Sequence, residues 1–304
     1  MIYVFLLLLS FVMIWKSADF FVESSHSIAI KLNVSPIIIG ATVVAFGTSA
    51  PELFVNIFAA LDQDAGIIYG NILGSNLANT LLILGVGSLL TPILIQRSSL
   101  SHIISNFLFT IFVAIFLING WVTRISGAFI FMVFLIYYIF IINRSEPSTD
   151  QDHSNGRSLL MLGFIFLLSL IGLVFSAKLL VFSLLKSATF LGLSTVFLSL
   201  FIVAFGTSLP ELVSTIIFLR KGYTDMLIGN VFGSNLFNLM FVLPITWFVL
   251  PLEMPTLLQF ELTLLLTLLS CLLILGISFK KFNSYVGSSL LLIYFIYIGF
   301  IYFR

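Results

Sequence analysis

The sequence predicts an all-α membrane protein: ten transmembrane helices in two inverted five-helix repeats, with the second, third, seventh and eighth helices broken at the core. Three observations carry this. Apolar runs long enough to cross a bilayer as helices recur ten times. One hydrophilic stretch divides them five and five. The two halves also align without a gap when one is shifted by 159 residues.

Composition sets the solvent. Of 304 residues, 60% are hydrophobic and only 8% charged, with a mean hydropathy of +1.22. Soluble domains carry about 25% charged residues, so lipid must cover most of this surface. The apolar runs span approximately 2–25, 36–60, 67–90, 102–120, 125–142, 159–181, 194–219, 226–249, 257–279 and 284–303. They do not alternate, which disfavours a β-barrel. The first run lacks a basic leader region and a small-residue cleavage site, and reads as a membrane helix rather than a removed signal peptide. The net charge of +1 gives no reason to expect nucleic acid. Cys271 is the single cysteine, so no intrachain disulfide can form. Nothing points to a cofactor or to a protein partner.

The hydrophilic stretch, 143–158, is expected to be a cytoplasmic linker between a first repeat, 1–142, and a second, 159–304. Residues 17–79 align with 176–238. Five helices is an odd number, so the second copy enters the membrane from the opposite side, a known transporter design with binding near the midplane. The loop charges agree. With the N-terminus outside, the inner segments hold Lys31, Arg97, Arg144, Arg157, Arg220, Lys221, Lys280 and Lys281. The outer ones hold only Arg124, Lys186 and Arg304. Cytoplasmic loops concentrate positive charge, so both termini are expected outside, in a multi-pass protein of the cell (inner) membrane.

The chemistry lies in the repeated motifs. "VAFGTSAPEL" at 44–53 returns as "VAFGTSLPEL" at 203–212. Pro51 has no N–H, and its ring collides with the carbonyl of Gly47. Backbone around Ala45–Thr48 is therefore expected to unwind and free carbonyl oxygens, which at membrane depth must face protein or a water-filled cavity. Glu52 follows at once, with Thr48 and Ser49 adding oxygens. Ala204, Thr207, Ser208, Pro210 and Glu211 repeat the arrangement. A second motif follows each: "GNILGSNLAN" at 70–79 and "GNVFGSNLFN" at 229–238. Ser75 and Asn79 share a helix face, as do Ser234 and Asn238, and glycines four apart allow close helix approach. The donors are oxygens, which select hard cations over zinc or copper. Two bidentate carboxylates plus freed carbonyls approach calcium's six to eight ligands and suit magnesium less.

Charge then suggests a cycle. Two uncompensated carboxylates inside a membrane are costly, and one calcium, two protons or two sodium ions would neutralise them. A site that reorients only when neutral must return with another cation, which is obligatory exchange.

These paired motifs resemble the two alpha-repeats of the cation/calcium exchanger superfamily, on its prokaryotic sodium/calcium exchanger side. The resemblance covers both halves. It implies one calcium and up to three sodium ions bound in turn, with the first and sixth helices sliding to switch access. It implies calcium ligands at Glu52, Glu211 and the carbonyls of Thr48 and Thr207. Ser49, Ser208, Ser75, Ser234, Asn79, Asn238 and the carbonyls of Ala45 and Ala204 fall at sodium-site positions. Several relatives, including potassium-dependent ones, have aspartate where this chain has Asn238. The linker is too short for the calcium-sensing domains of some animal relatives.

A proton/calcium or other divalent-cation exchanger of the same superfamily is the alternative, and a cation channel the alternative of another class. No Ser/His, paired-aspartate or HExxH arrangement suggests an enzyme. Asn71, Asn76, Asn230 and Asn235 are ambiguous between ligand and helix-bonding roles. Lys16 and Asp19, three apart, are expected to pair. Glu23 and Glu261 read as interfacial or cavity residues. His26, His102 and His153 are expected to be solvated, and the 34 phenylalanines to face lipid or fill packing space.

Overall fold

The computed structural model describes residues 2–143, 156–190 and 208–303. The chain begins with α1 (Ile2–Lys31). Next comes α2, which starts at Pro36–Ile39, widens into a π turn at Gly40–Val44 and resumes as Ala45–Thr48. A short α3 (Ala50–Leu61) follows. The long α4 runs over Ala65–Leu90 with a π turn at Asn79–Ile83. It leads through β1 (Ile93–Leu94) to α5 (Arg97–Ile118) and α6 (Arg124–Asn143). After the linker come α7 (Leu159–Phe190) and α8 (Leu209–Lys221). The chain then forms α9 (Thr224–Val249), with a π turn at Asn238–Val242. It ends with α10 (Gln259–Phe279), β2 (Lys281–Phe282) and α11 (Ser284–Phe303). Among the described residues, eight helices are long and apolar enough to cross a membrane, or nine if α2 and α3 count as one bent span. The chain is thus a helical, multi-pass membrane protein.

The proline motif bends the chain where expected, with a shift in detail. Backbone at Ala45–Thr48 does not unwind; it stays helical, and the Ala45 carbonyl accepts from the Ser49 N–H at 3.0 Å. The break falls on Ser49 (φ −85°, ψ 5°), and α2 and α3 meet at 44°. Ser208 (φ −90°, ψ 4°) begins α8 in nearly the same conformation. Pro51 and Pro210 sit in the first turns of α3 and α8, where a missing N–H costs nothing. The residues leading into Ser208 lie outside the described set.

The third and eighth spans are not broken, contrary to expectation. Each is one continuous helix that takes up a single π turn, beginning at Asn79 in α4 and at Asn238 in α9. In α9 Pro244 follows the π turn by two residues, yet the helix continues to Val249, so the extra residue is absorbed without a break.

The core is α4 and α9, whose windows are 83% and 94% buried. Lipid gives helices no hydrophobic reason to associate, so close backbone approach and polar bonds hold them. Gly229 and Gly233 provide the approach. A Cβ at Gly229 would lie 2.1 Å from the Ile37 carbonyl oxygen, and one at Gly233 2.6 Å from Ala41. Gly70 and Gly74 have no described atom within 4 Å. Their counterpart surface, 196 and 200 by the repeat shift, lies outside the described residues. Asn106 of α5 donates to the Phe232 carbonyl of α9 at 2.9 Å. The Tyr138 hydroxyl of α6 donates to the Ala41 carbonyl inside the first π turn at 2.7 Å.

On the outside, α1 packs along α7. Phe21 stacks on Phe166 with ring centroids 5.0 Å apart. The α1 end near α8 is polar, and it departs from local expectation. Asp19 pairs with Lys221 at 2.9 Å rather than with Lys16. Glu23 reaches Lys221 at 3.4 Å and Arg157 at 3.9 Å. His26 is buried and stacked on Tyr223 at 3.8 Å, and His102 is buried within α5, so neither is solvated. Glu261 is buried in the first turn of α10. His153 lies outside the described residues. Strands β1 and β2 pair antiparallel, Ile93 with Phe282 and Leu94 with Lys281.

Candidate functional site

Four elements meet at the centre: the α2–α3 break, the start of α8, and the middles of α4 and α9. Glu52 lies one residue after Pro51 in α3, and Glu211 one after Pro210 in α8. Both are almost completely buried, at 1% and 2% exposure. They are close enough to feel one another's charge. Ser75 of α4 donates to Glu52 Oε1 at 3.3 Å. Thr48 reaches across the halves, donating to Asn230 Oδ1 at 3.3 Å and lying 3.4 Å from Ser234 Oγ.

Ser49, Ser75, Ser208, Ser234, Asn79 and Asn238 are buried with the carboxylates. Several of their oxygens accept nothing. Among the described residues, Ser49 Oγ and Ser208 Oγ have no hydrogen-bond partner, nor have Asn79 Oδ1 and Asn238 Oδ1, and Glu211 Oε2 joins them. Buried polar atoms normally find partners, and each exception calls for an explanation. Here the serines and asparagines fall in repeat-related pairs. A hard cation is bound by oxygens of this kind.

The structure brings together Thr48, Ser49, Glu52, Ser75, Asn79, Ser208, Glu211, Ser234 and Asn238. The Ala45 carbonyl lies in the same helix turn but is occupied by the Ser49 N–H. Ala204 and Thr207 lie outside the described residues. Among those residues, no group of three or more His, Cys, Asp or Glu side chains is placed to hold a metal. The acidic complement of this centre is therefore two.

Three of the ambiguous asparagines bond to neighbouring helices, while Asn230 accepts from Thr48 at the centre. Asn71 donates to Asn56 Oδ1 at 2.7 Å and to the Glu52 carbonyl at 3.3 Å, tying α4 to α3. Asn76 donates to the Asn235 carbonyl at 3.1 Å, and Asn235 to the Thr80 hydroxyl at 3.0 Å. Asn56 and Thr80 were not singled out from sequence. Asn56 lies on the Glu52 face of its helix, four residues on, and that spacing is the signal that would have found it.

Comparison with known proteins identifies the family. The model of the sodium/calcium exchanger protein family matches residues 2–143 and 161–303. The sodium/calcium exchanger MaX1 of Methanosarcina acetivorans is 32% identical over 316 residues, covering 90% of each chain. A membrane protein of Methanocaldococcus jannaschii is 34% identical over 230 residues, covering 75% of this chain and 76% of its own. Among solved structures, the sodium-calcium exchanger NCX_Mj soaked with sodium and strontium superimposes with a TM-score of 0.87 at 30% identity. That match covers 98% of this chain and 97% of the other. The chain belongs to the sodium/calcium exchanger protein family.

Proposed function

We propose that this sodium/calcium antiporter binds its two cargoes in turn at one central site built on Glu52 and Glu211, and carries them across by alternating access. The observation that carries the reading is the set of repeat-related buried oxygens without donors: Ser49 with Ser208, and Asn79 with Asn238. Glu52, Glu211 and the carbonyls of Thr48 and Thr207 form the calcium set. Ser49, Ser208, Ser75, Ser234, Asn79, Asn238 and the carbonyls of Ala45 and Ala204 form the sodium set. The Ala45 carbonyl accepts the Ser49 N–H and, at 3.4 Å, the Thr48 hydroxyl, so a cation there would replace the hydroxyl contact. Calcium, or sodium ions in its place, offsets the two carboxylates so that the loaded site can change sides. Three sodium ions for one calcium would move one net charge per cycle and make exchange respond to membrane potential.

The ten-helix, inverted-repeat plan belongs to the same proposal: 1–142, a cytoplasmic linker 143–158, and 159–304. The β1–β2 pairing supports it. Residues paired in one ribbon lie on one side of the bilayer, so an even number of crossings separates them. Between β1 and β2 lie α5, α6, α7, α9 and α10, five full spans. The segment that ends in α8 must then supply a sixth. With both termini outside, β1 and β2 face the cytoplasm beside Arg97, Lys280 and Lys281, as positive charge favours. The membrane proposed is the cell (inner) membrane.

The test uses vesicles holding the purified protein. Loaded with sodium and diluted into sodium-free medium, they are expected to take up calcium-45. Uptake driven equally well by a pH gradient without sodium overturns the assignment of sodium to this site.

A further inference from the structure

The two asparagines that open the π turns are oriented by different devices. Asn238 Nδ2 donates to Asn76 Oδ1 at 3.0 Å, and Asn79 Nδ2 donates to Asn235 Oδ1 at 3.1 Å. Each therefore turns its amide nitrogen to the other half and leaves Oδ1 buried and unpartnered. Which way a carboxamide faces is decided by what its partners can give or take.

For Asn238 the chain of partners ends on a backbone carbonyl. Asn76 Nδ2 donates to the Asn235 carbonyl at 3.1 Å, and a carbonyl can only accept. Asn76 must then present Oδ1 to Asn238, and Asn238 must answer with Nδ2. Its oxygen is held outward. For Asn79 the chain ends on a hydroxyl. Asn235 Nδ2 donates to Thr80 Oγ1 at 3.0 Å, and a hydroxyl both donates and accepts. If the Thr80 proton turns to Asn235, the Asn235 amide reverses. Asn79 must then reverse as well and offer NH₂ in place of oxygen. The repeat position of Thr80 is Leu239, so the second half has no such hydroxyl.

We propose that Thr80, acting through Asn235, is a positioning residue that sets whether Asn79 offers sodium an oxygen or an amide, while Asn238 is held with its oxygen outward. This rests on the reading of Asn79 and Asn238 as sodium-site groups. It makes the two sodium-site amides unequal although their own residue type and local motif are the same.

The experiment compares Thr80→Val, Thr80→Ala and Thr80→Ser in reconstituted vesicles. Half-saturation is measured separately for sodium, in sodium-driven calcium efflux, and for calcium, in sodium-free calcium–calcium exchange. Without the hydroxyl, Asn235 Nδ2 loses its acceptor, and the amide orientation that makes Asn79 present its oxygen is no longer fixed. Sodium half-saturation is expected to rise about tenfold in Thr80→Val, the scale of one lost polar contact. Calcium half-saturation stays within about twofold of the native value, and Thr80→Ser restores the sodium value. Thr80→Ala gives the same selective shift if Thr80→Val does not fold. Unchanged sodium half-saturation in the folded hydroxyl-free variant, or an equal shift for both ions, overturns the proposal. Glu211→Gln in the same assay separates the two readings. If it still exchanges calcium, the central site fails; if it is dead while the Thr80 variants behave as native, only the relay fails.

Discussion

Ser75 of α4 donates to Glu52 Oε1 across 3.3 Å, so one central carboxylate is held by the neighbouring helix of its own half. Thr48 instead reaches Ser234 and Asn230 of the other half. Glu52→Gln and Glu211→Gln keep the shape of the site but remove one charge each. Ligand charge count sets calcium affinity, so each variant is expected to lower calcium-45 transport on the order of 100-fold or more. Transport retained in either variant would put the cargo site elsewhere.

Asn238→Asp adds a third buried carboxylate beside Glu52 and Glu211, and a loaded site then needs one more positive charge to be neutral. The aspartate also cannot donate to Asn76 Oδ1, as Asn238 does now. Steeper dependence of calcium flux on monovalent cation is expected. An identical sodium titration would make this position incidental to coupling.

Gly229→Ala places a Cβ 2.1 Å from the Ile37 carbonyl oxygen and 2.8 Å from the Ala41 nitrogen. Both are backbone atoms, so no flexible side chain can give way. Overpacking of this kind costs about 1–3 kcal/mol, and α2 must shift against α9. Thermal unfolding in detergent should show the loss; a native midpoint would mean that the two helices are not in this contact.

Tyr138→Phe removes the hydroxyl that donates to the Ala41 carbonyl inside the first π turn. A buried acceptor without a partner costs about 1–3 kcal/mol. The variant should unfold at lower temperature while keeping its calcium half-saturation, because Tyr138 touches no proposed ligand. A change confined to ion affinity would contradict this.

Lys221 bridges Asp19 and Glu23, yet these side chains are a quarter to two-fifths exposed. Exposed pairs contribute about 0–1 kcal/mol and weaken as salt screens them. Lys221→Ala should therefore lower stability by less than about 1 kcal/mol, with the difference vanishing at high salt. A larger, salt-insensitive loss would mark a role beyond charge pairing.

The helices could be read from the sequence because length and apolarity alone decide what can cross lipid. The proposed site is legible because two proline–glutamate motifs recur at one spacing, so each oxygen in one half points to a counterpart in the other. What was hidden came from contacts between distant segments. The π turns at Gly40 and Asn79 have no local signal, whereas Pro244 follows the one at Asn238; the first receives a bond from Tyr138, far along the chain. Helix spacing pairs Lys16 with Asp19, but Lys221 competes from α8 and wins. His26 looked like a loop residue until Tyr223 supplied a ring to stack on. The break at Ser49 rather than Ala45–Thr48 follows the same logic: proline removes a bond at its own turn, and the helix before it keeps its ladder.

The two-residue ribbon of Ile93–Leu94 and Lys281–Phe282 also orders events in time. Its partners are separated by six proposed crossings, so β1 emerges from the ribosome long before β2 exists. Until residue 282 is made, the strand after α4 stays an open edge at the membrane surface. Biogenesis of this protein therefore finishes late, with the last hairpin of the second half sealing the first. A chain stopped before β2 would lack more than its last helix: it would leave the earlier half unclosed.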